Sequence, residues 1–371
     1  MAKATINRID RNLARRLKEA RKETGLSTRG VCQKMPSRYR VSHSTIASYE
    51  NGTTVPPMDI LGSLADVYNR PVIWFLTQRE TLSNFKYRNL ESRVTLQDQR
   101  RFAALAGKWA EAYIAIEKHL RISRSTLTLD SLEKKSPTDI AKLVRTEYLN
   151  LDDSQPVQNT VSALEKFAAW AIEVRADFGV DGASANIGNK NVVILNPSIS
   201  NDRARMNTAY ELAFVVLASQ SKLATEIDSE AYNFASAFLI PDSQIKEAFT
   251  GKSFIKLIQF KERFGVSLSA MIFRAEQLKV INTTTSRWLR SEMFKRGWKQ
   301  SEPGYVWRDR AISFEAMLDS AIQSKTLNWE DAERITSVCK EDLKERIAGV
   351  FADKFQDENE KQTIIRFASI E

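Results

Sequence analysis

The chain has 371 residues, of which 43% are hydrophobic and 27% charged, enough apolar material for two or three cores and too much for a disordered chain. No apolar run approaches the roughly 18 residues that a membrane-spanning helix needs, so no membrane span is expected. The formal charge of +9 is unevenly spread: residues 1–78 carry 13 Lys and Arg against 6 Asp and Glu, residues 79–135 carry 12 against 7, and the remainder 30 against 33. The excess positive charge is confined to the first third of the chain, which favours attraction of phosphate over general solubilisation.

Met1 to Lys22 is charged throughout and lacks the apolar core of a secretory signal. Cys32 and Cys339 are the only cysteines, which fits a reducing cytoplasm better than a disulfide framework. Leu13, Leu17 and Ala20 repeat at helical spacing, Gly25 stops that helix, and Leu26-Ser27-Thr28 starts a second one carrying Val31 and Met35. A third helix is predicted within Ser42 to Gly52. Ser42 can cap its free N–H groups, and Gly52 permits the left-handed backbone that ends a helix after Asn51. Ile46 and Tyr49 lie three apart on an inward face, leaving His43, Ser44, Thr45 and Ser48 outward, where short polar side chains can reach base edges in a major groove. Alone, this would be an ordinary surface helix. Its neighbours alter that reading: after Pro56-Pro57, Ile60, Leu61, Leu64 and Val67 form a fourth stripe, and Pro71 opens a fifth helix with Trp74, Phe75 and Leu76. Five short helices in about 70 residues predict a bundle with the third exposed.

Residues 79–135 read as a helical connector, with Phe102, Leu105, Trp109, Tyr113, Ile116 and Leu120 three or four apart. This stripe needs a partner, either the chain itself or the same helix of a second copy, and Arg93 to Arg101 should be a basic, exposed patch. Beyond Ser136, Ile140, Val144 and Leu149, then Val161, Leu164, Phe167 and Trp170, predict two helices, followed by a strand at Ile172 to Val174. Asp181-Gly182 marks a turn and Val192 to Leu195 a buried strand ending at Asn196-Pro197; helices follow at Arg205 to Ser219 and Ser229 to Leu239, with Pro241 as the stop. Further helical patterns run from Phe254 to Leu278, interrupted at Gly265-Val266-Ser267, then from Thr285 to Arg296, Ile312 to Ile322 and Glu330 to Phe355; a charged tail begins at Gln356. The expected fold is mainly α. A five-helix bundle (1–78), the connector with possible dimerisation (79–135), a small α+β domain (136–250) and a helical C-terminal region (251–371) would follow in order.

The first bundle resembles the lambda-repressor-like, or XRE, helix-turn-helix family in Gly25-Leu26-Ser27, Ser42 to Gly52 and Pro56 to Leu76. The resemblance implies double-stranded DNA as partner, binding as a homodimer, and a pair between Arg21 and the glutamate of the Tyr49-Glu50-Asn51-Gly52 run. The candidate contacts are Thr28, Arg29, Arg38, Arg40, His43, Ser44, Thr45, Ser48, Asn51 and Thr53; His43, Ser44 and Ser48 would read bases, and Arg38, Arg40, Asn51 and Thr53 would meet phosphates. Two departures stand out: Thr28 replaces a common glutamine, and Lys34 to Val41 lengthens the turn.

The α+β region resembles the ImmA/IrrE family of metallopeptidase-like domains. Val193-Ile194-Leu195-Asn196-Pro197 matches the strand before the active-site helix, Arg205 to Phe214 the helix itself, and Glu230 to Pro241 the helix that supplies a carboxylate ligand. The family's H-E-x-x-H works because imidazoles at i and i+4 share a helix face and the glutamate activates the zinc-bound water. Here Tyr210 and Phe214 hold the histidine positions while Glu211 and Glu230 remain, and the only histidines, His43 and His119, lie before this domain. The expectation is packing instead of zinc, no catalysis and no cofactor. A carboxylate set of Glu211, Glu226, Asp228 and Glu230 is the alternative for Mg²⁺ or Ca²⁺. No Gly-rich phosphate loop, G-x-S-x-G elbow or catalytic Cys/His pair appears. The sequence thus points to a cytoplasmic transcription regulator, most simply a repressor of mobile-element or stress-type genes. Its peptidase-like domain would sense a ligand or contact a protein. The alternatives are an antitoxin that holds a toxin and represses its own operon, and an active metallopeptidase, against which the missing histidines count.

Overall fold

Caps set the helix boundaries in the computed structural model, which describes residues 2–76, 82–88, 91–122, 127, 135–167, 170–188, 190–217, 224–251, 253–299 and 301–349, without the side chains of 2–11 and 224–229. Helix α1 (Ala2–Glu23) ends before Gly25, whose φ is +69°, and Ser27 Oγ accepts from Gly30 N to open α2 (Thr28–Lys34). A 3₁₀ turn at Ser37–Tyr39 occupies the lengthened connection to α3 (His43–Glu50), and Pro57 precedes α4 (Met58–Val67). Then come α5 (Val72–Leu76), β1 (Ser83–Arg88) and α6 (Leu96–His119), the last opened by a capping box in which Thr95 and Asp98 satisfy each other's N–H groups. Next are α7 (Pro137–Leu143), which runs into a π turn at Val144–Tyr148, and α8 (Thr160–Lys166). The strands β2 (Trp170–Glu173), β3 (Gly182–Ile187) and β4 (Lys190–Leu195) precede α9 (Asn201–Leu217) and α10 (Ala224–Leu239). Six further helices follow: α11 (Asp242–Ala248), α12 (Phe254–Phe264), α13 (Leu268–Gln277), α14 (Thr283–Lys295), α15 (Ser313–Gln323) and α16 (Trp329–Thr336). Residues 340–349 are also helical. The tail from Gln356 and the end of the last predicted helix lie outside the described residues.

Among the described residues the fold is mainly α with one four-stranded sheet, in the order β1-β3-β4-β2. Contacts divide the chain into two units. The first holds Met1–Arg124, Ile172–Ile194 and Ile312–Phe351, and the second Ser125–Ala171, Leu195–Ala311 and Ala352–Glu371. Neither is one stretch of chain, so these units cut across the four consecutive segments read from the sequence.

In the first unit, the five expected helices close around Leu17, Val31, Met35, Ile46, Leu64 and Phe75, each at most 1% exposed. The connector corrects the sequence reading at its start: residues 83–88 form a strand, not part of a helix. Phe85 and Tyr87 alternate along it and stack at 5.9 Å, and β1 pairs antiparallel with β3 through Lys86↔Ser184, Tyr87↔Ala183 and Arg88↔Gly182. The register shifts between Ser83 and Lys86, where Asn84 takes φ +55°. Between β3 and β4 stand two residues, a separation that only an antiparallel hairpin spans, and Gly188 takes φ +55° there. The stripe of α6 is covered by its own chain: α1 and α16 pack on it, and Phe314 of α15 lies 5.6 Å from Tyr113 and 6.1 Å from Trp109.

In the second unit α9 packs on α8 and α10, and α10 on α7. Arg205, fully buried on α9, ties this unit together. It donates to Asp309 at 2.5 Å, Val157 O at 2.6 Å and Gly265 O at 3.0 Å, and lies 4.2 Å from the Trp307 ring centre. Gly265 must be glycine on two counts. Its φ is +66°, and a Cβ there would sit 2.5 Å from Arg205 Nε.

Candidate nucleic-acid interface and candidate metal centre

The start of α3 is built from Ser42. Its Oγ accepts from Thr45 N at 3.1 Å and lies 2.7 Å from Ser44 Oγ and 2.8 Å from Thr45 Oγ1, so the cap fixes the first turn. His43 and Ser44 are exposed, Thr45 and Ser48 half-buried, and Ser48 Oγ donates to Ser44 O at 3.1 Å. Ile46 and Tyr49 point into the core, as their spacing predicts. Past the helix, Gly52 takes φ +73° and Thr53 N donates to Ser48 O at 3.0 Å, leaving Asn51 and Thr53 exposed beside the helix end.

The flanking cations take different roles. Thr28, half-buried, and Arg29, exposed, open α2, which packs on α3. Arg38 is exposed and stacks on Tyr39, 4.5 Å from the ring centre, whereas exposed Arg40 donates to Met35 O at 3.2 Å and is partly tied to its own turn. Behind this surface Arg21 Nε and Nη2 donate to the two Glu50 oxygens at 2.5 and 2.7 Å, and Nη1 donates to Leu26 O at 3.0 Å. One guanidinium therefore ties α1 to the end of α3 and to the turn before α2. The hydrogen bond to Glu50 is the largest cause raising the Arg21 pKa, opposed by burial. The pair implied by the family resemblance is present, with the Glu50 side chain 4% exposed.

On α9, Tyr210 is 2% and Glu211 3% exposed, while Phe214 is half-buried. The Tyr210 ring centre lies 5.2 Å from that of Phe214 and 4.7 Å, edge-on, from that of Tyr232 on α10. Sequence reasoning missed Tyr232, which reaches Tyr210 only through the packing of α10 on α9. Glu230 is half-buried, and the side chains of Glu226 and Asp228 lie outside the described residues. The donor set does not fit a zinc ion of this family, because a phenol and a phenyl ring stand where two imidazoles are needed. Among the described residues, no three His, Cys, Asp or Glu side chains could hold a metal together. No described helix is long and apolar enough to cross a membrane.

Two family models match the chain: a helix-turn-helix domain over residues 12–72 and an IrrE N-terminal-like domain over residues 171–276. No curated protein and no solved structure gives a match. The first match covers all of α2 to α4, and the second runs from β2 to the end of α13 with Tyr210, Phe214 and Glu230 inside it. The chain therefore carries a helix-turn-helix domain at residues 12–72 and an IrrE N-terminal-like domain at residues 171–276.

Proposed function

We propose that the protein is a cytoplasmic, sequence-specific transcription repressor whose IrrE-like domain is catalytically inactive and serves for sensing or protein contact. The helix-turn-helix domain supports a DNA-binding regulator. The observation that carries the reading is the α3 surface, where a Ser42-capped first turn presents His43 and Ser44 while the Arg21–Glu50 pair holds the helix from behind. Inactivity of the second domain is supported by the packing of Tyr210 against Phe214 and Tyr232, whose ring centres lie 5.2 and 4.7 Å from its own, since aromatic rings fill space by apolar contact and give zinc no nitrogen or sulfur donor. Genome-wide mapping of bound sites, with expression of the adjoining genes in a deletion strain, tests the reading. Discrete sites with raised expression on deletion are expected; uniform occupancy would refute sequence specificity.

The antitoxin reading is favoured by one feature, the exposed apolar side chains of the second unit. Ile255 is 71%, Phe294 69%, Phe273 50% and Trp288 49% exposed, on three consecutive helices. Co-expression with the product of an adjacent gene tests it: rescue of growth from that product, lost on Phe294→Asp, is the expected outcome.

A further inference from the structure

Three helix ends meet beside the candidate recognition surface, all within the first unit. Arg21 joins the end of α1 to Glu50 at the end of α3 and to Leu26 O in the turn before α2. Gln97 Nε2, in the first turn of α6, donates to Gly25 O of that same turn at 3.4 Å. From there α6 packs on α1, with Lys108 Nζ 3.8 Å from Glu23 and Arg16 donating to Glu111 at 2.9 Å. The start of α6 is thereby fixed next to the opening of α2, which carries exposed Arg29, one of the candidate DNA contacts.

This corner holds positive charge in excess. Lys18 and Arg100 are exposed and Lys22 is half-buried, and none of the three makes an ion pair among the described residues. The neighbouring carboxylates are engaged elsewhere: Glu19 with Arg15 and Glu23 with Arg70, each at 2.7 Å, and Asp98 with the Thr95 cap. Burial, then the Arg100, Lys18 and Arg21 charges, hold the Lys22 ammonium below its usual range, against the opposing charge of Glu19. A surface meant only for solubility intersperses the two signs, as Arg93 does nearby in pairing with Glu91 at 2.5 Å. Lys18, Lys22 and Arg100 instead leave their charge to a partner that brings its own anions.

We propose that Lys18, Lys22 and Arg100 form a second phosphate-contacting rim, which grips the DNA backbone beyond the bases that face α3 and makes the start of the connector part of the DNA-binding surface. This role rests on the DNA-binding reading above. A duplex backbone continues past the bases read in its groove, and a cationic rim continuous with the recognition surface meets phosphates there whatever the sequence. The rim adds affinity and salt dependence without adding base preference. It also accounts for the excess charge of residues 79–135, which the α3 surface leaves unused.

The test is fluorescence anisotropy of the full chain across a salt series, on two duplexes that carry the sequence selected from random DNA. One is trimmed to the selected bases, and the other is extended on each side by one helical turn, roughly 10 base pairs. On the trimmed duplex the slope of log K against log salt belongs to the arginines around α3. On the extended duplex the wild type is expected to gain about 3 in slope for each copy bound, at roughly 0.9 per phosphate neutralised. Lys22→Gln with Arg100→Gln should remove about 2 of that gain, with thermal melting as the control for folding. Lys118→Gln, exposed in the last turn of α6, removes the same kind of charge away from the rim and should keep the gain. A wild-type slope on the extended duplex in the folded double variant overturns the rim and leaves the recognition surface standing. Equal loss in Lys118→Gln overturns it as well, because the charge would then act without regard to place. Failure to bind either duplex overturns the DNA-binding reading and the rim together.

Discussion

Ser44 and Ser48 already carry local bonds, Ser44 Oγ to the Ser42 cap at 2.7 Å and Ser48 Oγ to the Ser44 carbonyl at 3.1 Å, so a base edge has to share or replace them. A good base contact discriminates by roughly 1 to 3 kcal/mol, and these serines should fall at the low end because their hydroxyls exchange one bond for another. Ser44→Ala and Ser48→Ala are expected to shift the preferred sequence in a selection from random DNA. Arg40→Ala should weaken binding to all sequences alike; two serine variants that both keep the wild-type preference would sink the assignment. The Arg21–Glu50 pair is a stability matter. With the Glu50 side chain 4% and Arg21 18% exposed, Glu50→Gln leaves a partly buried cation without its counter-charge, at a cost of about 3 to 5 kcal/mol. The N-terminal bundle should then melt well before the wild type, followed by circular dichroism, and an unaltered curve would refute a stabilising pair.

At the scale of the element, α9 is the informative case. Its sequence places Tyr210 and Phe214 four apart, where the ImmA/IrrE resemblance implies two imidazoles, because metal ligands at i and i+4 leave a fixed pattern. The third ring, Tyr232, was not legible, since contact between α9 and α10 depends on tertiary packing that no local pattern encodes. Purified without chelators, the wild-type protein should hold no stoichiometric zinc, show no peptidase activity and melt unchanged in a chelator. Tyr210, 2% exposed, fills its position by burial worth roughly 1.5 to 3 kcal/mol for a large side chain. Tyr210→His with Phe214→His should create a zinc site detectable by elemental analysis if Glu230 turns toward it; zinc in the wild type would revive the peptidase reading. The helical bundle was legible through its caps and prolines, as Ser27, Ser42, Gly25 and Gly52 all stand where the structure uses them. Strands β1 and β3 were not. Ser83–Arg88 follows a region of helical spacing, and Gly182–Ile187 consists mainly of small residues without β-branched or aromatic signal until its last position. Both are specified by pairing with each other.

For the whole molecule, the uneven charge makes the DNA reading quantitative. Residues 136–371 carry 30 cations against 33 anions, so they add nothing to attraction for DNA, whereas the first 135 residues hold the entire excess. Counterion release makes log K fall with log salt by roughly 0.9 for each phosphate neutralised. Arg29, Arg38 and Arg40 are exposed around α3, so one copy of the chain should give a slope of about −3 and two copies on paired half-sites about twice that. The value therefore reports stoichiometry as well as contact, which matters because the α6 stripe, read from the sequence as one candidate joint between two copies, is covered by the chain's own α1 and α16. Arg40→Ala should reduce the slope by about 1 for each copy bound, by the same counterion argument. Lys295→Gln, exposed at the end of α14 and already paired with Glu292 at 2.7 Å, should leave it unchanged. Equal loss of slope in both variants, measured by fluorescence anisotropy across a salt series, would mean that the whole surface and not the α3 face meets the DNA.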